Sequence, residues 1–195
     1  MRKFNIGLIL TIIVIISTVI YNIDLEYKRK SDKIQIQKIC IEYINFENKY
    51  CMLDQKYRTF PKTISDEEYA TYLDTMKKEL KIYFIDKDEY ISNQYSIIKR
   101  RLDKQLSDNG YVITQLNKTT TNISSYLFNE NTVKVTIETY VNAQYINNQY
   151  NQISDDAKIY NQNTQDIINL EKIDGVWKII YADLSYVDIS NIPIF

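Results

Sequence analysis

The clearest pattern in the chain is an alternation of apolar and polar positions from Thr132 to Ile146. Val133, Val135, Ile137, Val141, Ala143 and Tyr145 fall on one side. Thr132, Lys134, Thr136, Glu138, Asn142 and Gln144 fall on the other. A period of two predicts a strand with one buried and one wet face, as in an antiparallel sheet covered by helices on one side. At about 15 residues the strand is long, which predicts a bulge or strong bend near Thr139-Tyr140. A hairpin follows from Ile167 to Ala182, and Asp174-Gly175 suits a two-residue type I′ turn. In its second strand Trp177, Ile179 and Tyr181 share one side, with Val176, Ile180 and Ala182 on the other. Apolar residues on both sides predict a central strand. Between these segments, Asn147 to Gln162 is rich in Asn, Gln and Tyr, and reads either as a mobile loop or as extensions of its flanking strands. Upstream, Tyr111–Leu116 and Ile123–Phe128 predict short strands, with a turn at Asn129-Glu-Asn131. The tail from Leu184 to Phe195 adds apolar residues to complete an edge.

Helical periodicity governs the preceding part. Ile36, Ile39, Tyr43, Phe46, Tyr50, Leu53 and Tyr57 are spaced by threes and fours, a heptad stripe that is the candidate interaction surface. Ser31 is placed to cap this helix, and Pro61 follows its end. The stripe either packs on the sheet or forms the seam of a dimeric coiled coil continuous with the apolar segment before it. Aromatics at four of the seven positions favour packing on the sheet. A second helix begins at Ser65-Asp-Glu-Glu68, a capping box, and buries Tyr69, Leu73, Met76, Leu80 and Tyr83. A third begins at a similar cap, Asp86-Lys-Asp-Glu89. Its stripe is Ile91, Tyr95, Ile98, Leu102 and Leu106, and Asn109-Gly110 ends it. Lys99, Arg100, Arg101 and Lys104 suit the helix C-terminus electrostatically. The functional alternative is contact with an acidic partner or a membrane surface.

The N-terminus changes the class of protein. Arg2 and Lys3 precede an apolar run, and residues 4–23 are about long enough to cross a ~30 Å hydrocarbon core as a helix. A cleaved signal peptide would have a shorter apolar core and small residues at its exit. Here the exit, Thr18-Val-Ile-Tyr-Asn22, is bulky. The expectation is a short cytoplasmic N-terminus (1–3), a single-pass transmembrane anchor (4–23) and an exported domain (24–195). That domain has a helical part (31–110) and a sheet part (111–195). Lys28, Arg29, Lys30 and Lys33 oppose this orientation, but the long following domain favours export.

Composition mainly excludes. The chain has 195 residues, 45% hydrophobic and 13% aromatic, enough for one compact domain plus an anchor. Its net charge of −1 supplies no field toward nucleic acid, which is not expected as a partner. There is no His, which removes the commonest general base and zinc ligand. Cys40 and Cys51 lie ~16 Å apart on a straight helix, too far to bridge each other, and read as small buried side chains. An intermolecular disulfide is the alternative. No phosphate loop, nucleophile elbow or calcium-loop spacing is present, and Asp155-Asp156 is a lone acidic pair. No metal and no cofactor are expected. Asn117-Lys-Thr119 and Asn122-Ile-Ser124 match the short glycosylation pattern.

Helices followed by an antiparallel sheet ending in Leu170-Glu-Lys-Ile-Asp-Gly-Val-Trp-Lys-Ile-Ile180 resemble the nuclear-transport-factor-2-like (cystatin-like cone) superfamily. The motif-like positions are Asp174, Gly175, Trp177, Lys178 and Ile179, within a resemblance covering about 31–183. It implies an α+β fold: about three helices on one face of a curved antiparallel sheet of about four strands. The superfamily contains isomerases, dehydratases and epoxide hydrolases as well as non-catalytic modules. Its membrane-anchored members include conjugation (type IV secretion) channel components and envelope proteins of Gram-positive bacteria.

Two functional expectations follow. The first is a non-enzymatic, membrane-anchored extracytoplasmic interaction or scaffold domain of the bacterial cell envelope, extending to a conjugation or secretion-channel component. It contacts other envelope or secretion proteins, or itself, and has no catalytic residues. The second is a small-molecule-binding or catalytic cone of isomerase or dehydratase type. Its candidate pocket is Tyr140, Asp166, Trp177, Tyr181 and Asp183, with Glu171 nearby. A buried Asp beside a Tyr would be its general base. A filled interior favours the first reading and a deep pocket the second.

Overall fold

The structure, a computed structural model, describes residues 6–54, 64–107, 111–149, 152–153 and 158–185. It divides into two compact units, Met1–Lys38 and Ile39–Phe195. Helix α1, Ile6–Cys51, contributes to both.

In the N-terminal unit α1 carries one segment long and apolar enough to cross a membrane, with mean hydropathy 1.5 and no residue buried within the protein. Thr18 donates back to the Val14 carbonyl at 2.9 Å, so its hydroxyl is satisfied inside the helix. Asp24 and Lys28 form an i,i+4 ion pair at 2.7 Å. Ser31 is not a cap. It lies inside α1, because the good helix formers around it carry the helix through.

The C-terminal unit is α+β. The last part of α1 is followed by α2, Asp66–Tyr83, and α3, Asp88–Leu106. The strands are β1 (Tyr111–Asn129), β2 (Thr132–Gln149), β3 (Gln152–Ile153), β4 (Lys158–Ile173) and β5 (Val176–Asp183). They form an open antiparallel sheet in the order β1-β2-β4-β5, and β3 pairs with the end of β2. In the polar stretch after Ile146 the described residues are strand, extending β2 and β4 and forming β3.

Local chemistry explains most of the elements. The capping box at Ser65 and Glu68 forms as expected. The cap of α3 does not: Lys87 is its N-cap and no side chain bonds there. Asp174 and Gly175 have φ of 51° and 82°, the left-handed pair that a type I′ turn requires. Asn109-Gly110, Pro61 and the tail beyond residue 185 lie outside the described residues.

The irregularity expected at Thr139-Tyr140 falls on the neighbouring strand. β2 pairs with β4 without a shift from Thr132 to Tyr145. β1 instead has register shifts that fall at Thr114, Thr121 and Ser124. Each uses its hydroxyl to reach a β2 carbonyl: Thr114 to Gln144 at 3.2 Å, Thr121 to Glu138 at 3.0 Å and Ser124 to Thr136 at 3.3 Å. Every bulge reverses the in/out parity, so β1 is one strand of 19 residues rather than two short ones. Bulges also blunt β1 as a free edge.

Among the described residues β5 is an edge strand, not a central one. Part of its edge is covered by Phe84 and Ile85, and the Ile85 amide donates to the Ile179 carbonyl at 3.1 Å. A register shift opposite Asn169/Leu170 changes its parity at Ile180. Trp177 and Ile179 face inward, then Ala182 and Leu184 do, while Tyr181 turns outward. The core gathers Val133, Val135, Ile137, Ile168, Leu170, Trp177 and Ile179 from the sheet with Leu73, Met76, Leu80, Ile91, Ile98 and Leu102 from the helices.

Candidate functional site: a buried charge cluster

The heptad stripe is occupied within the domain. Tyr43, Phe46, Tyr50 and Leu53 are buried and Ile39 is half-buried. Ile36 belongs to the N-terminal unit, and Tyr57 lies outside the described residues. The Tyr43 ring meets Phe84 edge-on at 5.5 Å and Tyr83 at 5.8 Å, and Tyr50 packs on Tyr72 at 5.4 Å. Such contacts use the rings as core, which replaces the coiled-coil seam.

The buried face of α1 is rotated from the expected stripe and includes Cys40, Ile44, Glu47 and Cys51. Glu47 is 3% exposed. It sits four residues after Tyr43 and three after Ile44, so the spacing that buries its neighbours buries it too. On α3 the same geometry turns Gln94, Arg101 and Gln105 inward among Ile91, Ile98 and Leu102. Arg101 Nη1 pairs with Glu47 Oε1. Its Nη1 also lies 3.7 Å from Cys51 Sγ, and Nη2 donates to the Leu184 carbonyl at 3.4 Å. The supposed basic cluster is therefore divided: Arg101 is internal, while Lys99 pairs with Asp103 at 2.7 Å. Gln105 Nε2 donates to the Cys51 carbonyl at 2.8 Å, serving the C-terminus of α1, and its Oε1 accepts from the Ile113 amide at 3.3 Å.

A second ion pair stands on the sheet. Lys118 Nζ lies 2.8 Å from Asp166 Oδ2, and the two side chains are 6% and 0% exposed. Thr139 Oγ1 donates to the same Asp166 oxygen at 3.2 Å and pairs with Thr164 Oγ1 at 2.7 Å. The Ser185 amide donates to Asp166 Oδ1 at 2.8 Å, and Lys118 Nζ donates to the Ser185 carbonyl at 2.7 Å. Arg101, Lys118 and Asp166 thus clamp the backbone of Leu184-Ser185 where it leaves β5.

The cluster holds two acids and two bases, so its formal charge is balanced. Burial pushes the Glu47 carboxyl up from its ordinary value, against the lowering pull of Arg101 and Lys118. Burial likewise pushes the Cys51 thiol up to about 11, which keeps it protonated and unreactive. Asp166 accepts from three donors, Lys118, Thr139 and the Ser185 amide. Among the described residues no group of three or more His, Cys, Asp or Glu is placed to hold a metal ion.

The candidate pocket residues are not brought together. Asp166 and Trp177 are on the inner face of the sheet. Tyr140, Tyr181 and Asp183 are on the outer face, with Tyr181 51% exposed. Tyr140 donates to Asn161 Oδ1 at 3.2 Å, and Asn142 Nδ2 donates to the same atom at 2.5 Å. Tyr181 instead borders an open groove of about 510 Å³ between α3 and β5, with Tyr90, Gln94, Ile97 and Arg100.

Sequence reasoning missed Glu47, Arg101 and Lys118 as interior residues. For the first two the signal was present as a charged residue in step with an apolar stripe. For Lys118 it was hidden, because the bulges of β1 break the alternation that would have placed it inside.

No protein-family sequence model matches the chain, and a search of characterised proteins found no sequence match. In three dimensions the chain is similar to the crystal structure of the intermembrane space region of the chloroplast protein ARC6. The TM-score is 0.35 and the identity 10%, over 62% of this chain and 97% of that one.

Proposed function

We propose that this protein is a non-catalytic interaction domain, anchored by α1 in a bacterial cell membrane, displayed on the outer side and built on a nuclear-transport-factor-2-like scaffold. Its partner is another envelope or secretion protein. One observation carries the reading: Asp166, the inward carboxylate in the expected pocket, is fully buried, paired with Lys118 and hydrogen-bonded by Thr139 and the Ser185 amide. The apolar segment of α1 supports the anchor. The groove beside Tyr181 supports a protein partner, because it offers Tyr90, Tyr181 and Arg100, the side-chain types that dominate binding energy at protein interfaces. Photocrosslinking in intact cells tests this. A crosslinking amino acid at Tyr181 is expected to give a discrete higher-mass adduct, and one at the exposed Thr75 none. Absence of an adduct from both Tyr181 and Tyr90 would refute the groove as the partner site.

A further inference from the structure

The two ion pairs border one cavity of about 10 Å³, lined by Glu47, Asn48, Cys51, Lys118, Val141 and Ser185 among others. The volume matches the space that one water requires, roughly 10–15 Å³. Glu47 is 97% buried, being 3% exposed, and while its Oε1 meets Arg101, its Oε2 has no hydrogen-bond partner within the protein. A buried carboxylate oxygen left without a donor is costly, so the site favours an occupant that donates to it.

We propose that this cavity is a binding site for a single water molecule, which donates to Glu47 Oε2 and joins the Glu47–Arg101 and Lys118–Asp166 pairs into one unit. Polar cavities with two to four partners hold water, whereas apolar ones stay dry. Asn48, Lys118 and Ser185 line the cavity together with Glu47, beside the apolar Ile113, Leu116 and Val141. A metal cation of similar size fits worse. Arg101 and Lys118 already balance Glu47 and Asp166, and an added positive charge there would go uncompensated. The water thereby ties α1 to the segment at Ser185, which Lys118 and Asp166 already hold. It gives the interior a continuous polar thread from Arg101 to Asp166.

The direct test is a crystal structure of the full chain at a resolution that orders internal waters. The expected result is one water within hydrogen-bond distance of the Glu47 carboxylate, and a dry cavity overturns the proposal. Infrared difference spectra between wild type and Glu47→Gln at neutral pH give an independent readout. In the proposed arrangement the water donates to an ionised Glu47, which contributes no protonated-carboxyl band. Appearance of that band in wild type means that the unpartnered oxygen carries a proton instead, which also overturns the proposal. Glu47→Gln keeps the volume and a polar group, so it tests the charge without emptying the site.

Discussion

Lys118 on β1 and Asp166 on β4 form a 2.8 Å ion pair on the inner face of the sheet, with β2 between their strands. Removing the cation alone leaves a fully buried carboxylate with no counter-charge. Lys118→Met is therefore expected to lower unfolding free energy by about 3–5 kcal/mol, and Lys118→Met with Asp166→Leu to recover most of that loss. Urea unfolding of the full chain in detergent measures both. A single variant within about 1 kcal/mol of wild type would mean that the pair is not desolvated as described.

Glu47 gives the fold a pH dependence with a definite sign. Its carboxyl is raised above the ordinary value of 4.5 by burial, and Arg101, Lys118, Asp166 and Cys51 are the charged or titratable groups that act on it beside Tyr43. A carboxyl raised on folding holds its proton more tightly in the folded state. Its contribution to stability is complete below the ordinary value and is lost as pH rises through the raised one. The stability of wild type relative to Glu47→Gln should therefore fall over that window. Denaturation curves between about pH 4 and pH 7 read the difference, and a difference that is flat or rises with pH contradicts the assignment.

The hydroxyl of Thr121 replaces a ladder hydrogen bond at a bulge, donating to the Glu138 carbonyl at 3.0 Å. Thr121→Val keeps the β-branched shape and deletes the bond. The expected loss is about 0.5–1.5 kcal/mol, at the lower end because the site is exposed. Faster amide exchange at Asn122 and Ile123 than at Tyr126 would locate the effect at this bulge. Uniform acceleration along β1 would instead indicate general loosening.

These residues also show what a single sequence reveals. The alternation of β2, the type I′ turn at Asp174-Gly175 and the capping box at Ser65 were legible because each depends on neighbours close in sequence. The order of helices before sheet followed from the same patterns. What escaped depended on partners far along the chain. The bulges at Thr114, Thr121 and Ser124 are defined only by pairing with β2, and they decide that Lys118 points inward. The parity change at Ile180 likewise moves Tyr181 to the surface and dissolves the expected pocket. Glu47 and Arg101 are separated by 54 positions, with α2 between them in the chain. A charged residue on an apolar stripe announces burial, but not the partner that makes burial tolerable.

The central claim, an anchored domain displayed outside the membrane, is tested most directly by thiol labelling of intact cells. Cys40 and Cys51 are buried, and burial pushes their thiols up to about 12 and about 11, so both should stay silent toward a maleimide in the folded protein. Leu127 on β1 is 62% exposed, and Leu127→Cys places a reactive thiol on the domain surface. With a membrane-impermeant maleimide, the account predicts full labelling of Leu127→Cys in intact cells and none of wild type. Labelling only after lysis would place the domain on the cytoplasmic side and contradict it.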